Sequence, residues 1–472
     1  MVKFYYNDKL NLIDLSYGKI DDKDIVKFLI RKRCTNFYYC THYKGRIKNI
    51  PKFITQIHFS NFFNQPLISR NGKRKLIHCN IKRIAFGETF DQPIDVLDDT
   101  VREIFMENRY YSQKIKKLPN QLEILMIRCN KNLNHLPKTI KYLDFTLFPN
   151  QGVNNIRKLC NLVKLSITLE NEMNFLHFLP PNLKELCVIF EYENNLFNFS
   201  TLPKSIRKIS LLGQFNSIIE NVTSTLEEIF INSDYFNNKM ILKNSNVKSI
   251  FIENPYYNRD ICEFLPNTLE ELAISHTEIF EYGLDNLPKN LKRLYFIHNG
   301  SYDLPLDNLP NLEDLELVIS NSNKFMDFLP HSLKRLKIRV SNEVDFCNLP
   351  NVRKLCIEVD YPLDNIKNIP ISVDTIILDN LVIDIKKEMI VLPSNLKALF
   401  LGFQMNEGKI CIGTHFTKKI IDLPESLEYL FLKDSYEFIN EVIERFPKLK
   451  IITDWDIIDE LNFWNLNDFF SQ

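Results

Sequence analysis

The tightest cluster of residues able to do chemistry is "CTNFYYCTH", which brings together Cys34, Cys40 and His42. Thiolates and imidazoles are zinc ligands. Structural zinc sites, however, space paired cysteines two to four residues apart and repeat the pair downstream. Here the cysteines are six apart, and His78 and Cys79 complete a four-ligand set only if the fold delivers them. Buried or half-buried thiols are the simpler reading, and no metal is expected. The nine histidines form no H-E-x-x-H, and no Gly-x-Ser-x-Gly elbow occurs. "EGKICIG", Glu407 to Gly413, lacks the spacing of a phosphate loop, and only 11 glycines serve the whole chain. The carboxylates fall at recurring positions, which is a structural signature. The chain is expected to be no enzyme and to use no cofactor.

Charge excludes further classes. The 472 residues carry 59 basic and 59 acidic side chains, so no global field draws in nucleic acid or an anionic membrane. The basic runs "NGKRKL" (Asn71–Leu76) and "RKR" (Arg31–Arg33) are short and read as solvated loops. The opening "MVKFYYNDKLNLIDL" breaks the apolar core that a signal peptide needs, and no apolar run approaches the ~18 residues of a membrane helix. Ten cysteines without a paired framework read as reduced thiols, and N-x-S/T at Asn198, Asn221 and Asn299 as chance. A soluble, monomeric protein of the cytoplasm (a host cell's, if viral) is expected, with neither nucleic acid nor membrane as partner.

What must position any functional residue is a repeat. "LPNTLEELAI", "LPKNLKRLYF", "LPNLEDLEL" and "LPHSLKRLKI" share L-x-x-L-x-L behind a proline. Nineteen such starts run from Ile54 to Leu449, a mean period of (449 − 54)/18, about 22 residues. A proline stands two or three residues before fourteen of them. Because side chains alternate along a strand, the residues at +3 and +5 from a start share one face. A period of 20–29 residues with this core is the leucine-rich-repeat pattern, one parallel strand per unit stacked into a curved solenoid. So short a unit leaves room for irregular or 3-10 segments on the convex side. The turn-bonding asparagine of that pattern falls at +8, where Asn130 fits, but other units place Thr89, Glu170, Asp234, Phe148 or Leu381 there.

A second element follows the strands: "FNQPL" (Phe63–Leu67), "FDQPI" (Phe90–Ile94), "YSQKI" (Tyr111–Ile115), "FNSII" (Phe215–Ile219), "FNNKM" (Phe236–Met240) and "YNRDI" (Tyr257–Ile261). With "LPxxLxxLxL" at a fixed offset, it makes residues 50–450 resemble FNIP repeats, a leucine-rich-like class found in social amoebae and giant amoebal viruses. The resemblance implies an interaction scaffold. Some relatives carry an F-box, which implies adaptors of ubiquitin ligases; no F-box pattern is recognisable here.

Residues 1–49 are expected to cap the array, with a short helix in "IDDKDIVKFLIRKR", residues 50–434 to form it, and 435–472 to close it with a degenerate repeat and helices. In "SYEFINEVIERF", Phe438, Ile439, Val442, Ile443 and Phe446 share a helical face; the last stretch holds Trp455 and Trp464. Two units are long, 27 residues from Ile54 to Ile81 and 31 from Leu396 to Leu427, and are expected to contain loops.

Positions +2 and +4 alternate with the buried residues and should face solvent on the concave sheet. The +2 column reads Lys164, Glu185, Lys208, Glu228, Ser249, Glu271, Arg293, Asp314, Arg335, Lys354, nearly alternating in sign. Position +1 repeats this from Glu227 to Lys334. Such a charge ladder disfavours slipping the stack by one unit. The +4 column is aromatic in places, with Phe105, Met126, Phe230, Phe251, Tyr295, Phe400 and Phe431. These either stack across strands or meet a partner; the candidate contact residues are Phe230, Phe251 and Tyr295, flanked by Glu271 and Arg293.

Overall fold

The structure is a computed structural model. It describes residues 4–7, 12–15, 31, 35–39, 50 and 52–453, the last range without 69–76, 78–79, 130–132, 134, 149–154, 171–174, 195, 278–279, 283, 285, 299–305, 320–322, 341–344, 360–365, 367, 380–384, 386–390, 407–408, 413–415 and 434. The chain forms two compact units, one of residues 1–217 and 221–226, the other of 218–220 and 227–472.

The first unit holds β1 (Phe4–Asn7), β2 (Leu12–Leu15), β3 (Asn36–Tyr39), β4 (Gln56–His58), β5 (Arg83–Phe86) and β6 (Glu103–Met106). It continues with β7 (Ile124–Ile127), β8 (Tyr142–Leu147), β9 (Lys164–Leu169), β10 (Glu185–Asn194) and β11 (Lys208–Phe215). From β2 to β11 each strand pairs in parallel with the next, while β1 pairs antiparallel with β2. The parallel ladder thus begins two strands before Ile54. Of the helix expected in residues 20–33, only Arg31 is among the described residues, and it is helical.

The second unit comprises β12 (Glu228–Asn232), β13 (Ser249–Glu253), β14 (Glu271–Thr277), β15 (Arg293–His298), β16 (Asp314–Ile319), β17 (Arg335–Val340) and β18 (Lys354–Val359). After these come β19 (Thr375–Leu378), β20 (Ala398–Leu401), β21 (Phe403–Asn406), β22 (Lys409–Ile412), β23 (Tyr429–Phe431), α1 (Ile439–Arg445) and β24 (Lys450–Ile452). Consecutive strands from β12 to β20, then β23 and β24, are parallel neighbours. The registered residues Glu271, Arg293, Asp314 and Arg335 are 22, 21 and 21 positions apart. Each unit is a parallel solenoid of leucine-rich type. Helix is scarce: 3-10 segments such as Leu176–Phe178 and Cys262–Phe264 occupy the returns, and no described helix is long and apolar enough to cross a membrane.

One turn explains the repeat. The N–H of Leu291 donates to the carbonyl of Pro288 at 3.0 Å, so the proline is the first residue of a β-turn. The same bond closes the turns at Pro119, Pro203, Pro266, Pro330 and Pro424. The N–H groups of Lys292 and Arg293 then both reach the carbonyl of Glu270 in the preceding turn. Leu291, Leu294 and Phe296 are buried, as +0, +3 and +5 require.

The second element has a division of labour between its residues. Its ring is buried and stacks on its equivalents: Phe63 on Phe90 at 6.1 Å in one unit, Phe236 on Tyr257 at 5.6 Å in the other. The next residue stays at the surface and caps the following turn. Asn64 Oδ1 accepts from the N–H of Asp91 at 3.0 Å, Asp91 Oδ1 from that of Ser112, and Asn237 Oδ1 from that of Asn258. Asn130, the candidate at +8, lies outside the described residues, and two other units carry a buried amide at +7. There the buried Asn108 and Asn254 donate to the carbonyls of Phe90 and Phe236.

The long interval after Leu396 is no loop throughout: β21 and β22 form an antiparallel hairpin that contacts β18 and β19. In α1 the expected apolar face is only partly used, with Val442 buried but Ile443 50% exposed. Trp455 and Trp464 lie outside the described residues.

Candidate functional site

In the second unit the register brings the sequence candidates together. Phe230, Phe251, Ala273 and Tyr295 are successive partners on β12 to β15, and Glu271 pairs with Arg293 beside them. The Phe230 and Phe251 rings are half-buried, with centroids 6.5 Å apart and planes tilted by 46°. Arg293 Nη2 donates to Glu271 Oε2 at 2.9 Å, which raises the guanidinium's pKa further. Tyr295 departs from expectation, being only 9% exposed. Burial, then Glu271 and Asp314, push its phenol far above the ordinary value, so it is a neutral hydroxyl at the edge of the core.

The expectation that +2 and +4 face solvent fails at many positions from β15 on, and at Asp144 and Ser166 in the first unit. Asp314, Glu316, Lys337, Lys354, Thr375, Ile377, Ala398, Phe400 and Phe431 are all buried. One physical reason is the hairpin over β18 and β19, whose Phe403 meets Phe400 edge-on at 6.2 Å. A second is stacking in place, since Phe400 and Phe431 lie parallel at 3.8 Å. Where polar residues occupy this face they pair with their neighbours. Lys337 Nζ lies 2.7 Å from Glu316 Oε1 and 3.0 Å from Glu358 Oε1, and Arg339 Nε is 3.4 Å from Glu358 Oε2. Burial alone lowers the Lys337 pKa; the two carboxylates more than offset this and hold the ammonium charged.

The ladders are otherwise as read. At +2, Arg83 meets Glu103 at 3.6 Å, Lys164 meets Glu185 at 3.5 Å, and Arg335 bonds Asp314. At +1, Lys292 meets Glu270 at 2.8 Å and Lys334 meets Glu313 at 2.7 Å. Hydrogen bonding to those lysines lowers both glutamates' pKa values. Burial moves Asp314 the other way.

Sequence reasoning missed a polar column directly before most starts. Thr139, Ser205, Thr225, Thr268 and Ser332 each donate a hydroxyl to two carbonyls of the preceding turn. Asn161, Asn182, Asn290 and Asn311 do so once through Nδ2. The signal was present as the Thr, Ser or Asn that ends "LPNT", "LPHS" and "LPKN".

In the first unit the face opposite the core is concave. Arg109, just past β6, lies 3.4 Å from Glu191 on β10, four strands on. A flat stack at ~4.8 Å per strand separates such positions by roughly 19 Å. Between them β6 and β7 floor a cavity of about 510 Å³ with the half-buried Phe105 and Met126. Asp144 on β8 is buried, and burial raises its pKa despite Arg128 nearby.

Among the described residues no three His, Cys, Asp or Glu side chains are grouped to hold a metal, and Cys129, Cys160, Cys187, Cys262, Cys347 and Cys356 are free thiols. Cys34, Cys40, His42, His78 and Cys79 lie outside those residues.

No protein-family model and no curated protein matches the chain. Among solved structures, the chain is similar to CroV588, described as a novel circular LRR protein structure. The TM-score is 0.52 and the identity 20%, covering 89% of this chain and 79% of that one. At that identity the likeness speaks for the leucine-rich-repeat fold alone.

Proposed function

We propose that the chain is a non-enzymatic scaffold that binds a protein partner on the sheet face opposite the leucine core. The observation that supports this is the pair Phe230 and Phe251, two half-buried rings held in register on adjacent strands. Interfaces concentrate their energy in such aromatic anchors with arginines beside them. Glu271, Arg293 and the polar edge of Tyr295 complete the contact group. The burial of each ring of the F-N element and the capping by its neighbour support an FNIP-type repeat. That reading places the protein in the cytoplasm, a host cell's if viral, as a monomer.

The test is affinity capture with the parent chain and with Phe230→Ser/Phe251→Ser. The double variant is expected to keep its melting curve and lose the captured partner. Unchanged capture by a folded variant moves the binding surface elsewhere. A ligase subunit among the captured proteins would turn the reading into that of a ubiquitin-ligase adaptor, although no F-box is recognisable.

A further inference from the structure

In the second unit the cover of the +4 column changes along the ladder. At β12 and β13 it is open, with Phe230 and Phe251 half-buried in register. At β18 to β20 the same column, Cys356, Ile377 and Phe400 in register, is completely buried. These three side chains are apolar, the free thiol behaving as a small hydrophobe. What lies against β18 and β19 is a segment of the chain itself, β21.

The hairpin that carries β21 is built apart from the solenoid. β21 and β22 pair with each other in a sheet of their own. Each ladder strand from β13 to β20, by contrast, is bonded to a neighbour on both sides. A lone two-stranded hairpin is marginal in water, so this one depends on its docking. Its first residue, Phe403, is fully buried, with its ring edge-on to Phe400 at 6.2 Å. The chain leaves β20 through Gly402, whose N–H completes the ladder on the carbonyl of Leu378 at 2.9 Å. Its φ of +73° is left-handed, which glycine adopts without strain, so the chain changes direction at a single residue. An element held by docking and hung on a hinge belongs to the low-stability end of a fold, where local opening precedes global unfolding.

We propose that the hairpin is an autoinhibitory strap: it opens about Gly402 while the solenoid stays folded, and uncovers a groove over Cys356, Ile377 and Phe400. The groove takes an extended segment of a partner protein led by an aromatic ring, the chemistry that Phe403 and β21 present to it in the closed form. The inference rests on the scaffold reading and deepens it, adding a gated contact to the same sheet face.

Burial keeps the Cys356 thiol protonated, and a maleimide attacks the thiolate, so labelling of Cys356 reports opening. The full chain is treated with N-ethylmaleimide across a urea series. Modified sites are read by peptide mass spectrometry and global unfolding by circular dichroism. Ile357→Cys places a second reporter on the same strand, on the side that faces the core. Cys356 is expected to label well below the urea midpoint, and the Ile357→Cys thiol only through the circular-dichroism transition. Phe403→Ser removes a buried ring and should speed Cys356 labelling about tenfold without urea, with the fold retained. A peptide of residues 403–412 carrying Cys411→Ser, added to that variant, should restore protection, and the same peptide with Phe403→Ser should not. Labelling of Cys356 only together with the Ile357→Cys thiol overturns the proposal. So does a folded Phe403→Ser chain whose Cys356 stays protected, or a peptide that gives no protection. Capture of a partner through Phe230 and Phe251 by a chain whose Cys356 never opens separately would leave the scaffold reading standing and remove the strap.

Discussion

Glu316 Oε1 accepts a hydrogen bond from Lys337 Nζ at 2.7 Å, and both side chains are more than nine-tenths buried on adjacent strands. Glu358 sits on the other side of the same ammonium. Removing one partner of such a group leaves charges buried without compensation, at a cost of about 3–5 kcal/mol. Lys337→Met should therefore lower the urea midpoint sharply, and Glu316→Leu/Lys337→Met/Glu358→Leu should recover most of the loss. A single variant as stable as the parent would show that water reaches these carboxylates.

The half-exposed pair Glu271–Arg293 is a weaker rung. Arg293→Glu should cost about 0.2–1 kcal/mol, and adding Glu271→Lys should restore it. Asp314 is left unchanged in this test because it bonds Arg335. Identical melting of all three proteins would make the ladder irrelevant to stacking.

Tyr257 gives a prediction of the opposite sign. Its ring is stacked between Phe236 and Phe280, but its buried hydroxyl has no hydrogen-bond partner among the described residues. An unsatisfied buried hydroxyl costs free energy, so Tyr257→Phe should leave the thermal midpoint unchanged or raise it, by up to about 1 kcal/mol. Asn254, three residues earlier, makes two bonds through its side chain, and Asn254→Ala should cost about 1–3 kcal/mol.

Alkaline pH should destabilise the protein by a stated route. The folded pKa values of Tyr142, pushed by burial to about 12, of Tyr295 and of Lys337 all lie above their ordinary values. Groups raised on folding contribute stability that is fully present below the unfolded pKa and lost as pH rises through the folded one. The urea midpoint should thus hold to about pH 10 and fall above it, in step with the ultraviolet absorbance of phenolate. On the acid side Glu270 and Glu313 have depressed values, and their contribution is lost as pH falls below about 4.5. Glu270→Gln/Glu313→Gln should flatten that limb.

The strand register was legible because the period of each side-chain column is the period of the sequence. Glu271, Arg293 and Asp314 fall into line wherever the leucines do. Burial on the opposite face was not legible. Alternation says which residues share a face, but not that a strand later in the chain will lie against it, as β21 lies against β18 and β19. Tyr295 was read as exposed because alternation alone does not report the packing of its neighbours on β14 and β16. The cavity at Phe105 depends on curvature, and no local spacing reports that Arg109 meets Glu191.

The column of Thr, Ser and Asn before each start has a kinetic side. Its bonds join residues 17 to 24 positions apart, such as Thr139 to Leu122 and Ser205 to Pro181. Closing each such loop carries the entropy of about 20 residues, never of the whole chain, and that entropy grows only logarithmically with loop length. Contact order is therefore low for a protein made of strands, and folding can spread turn by turn from any nucleus. Among the described contacts, those that escape this spacing include β21 with β18 and Arg109 with Glu191, 82 residues apart, and a slow folding phase is to be sought there.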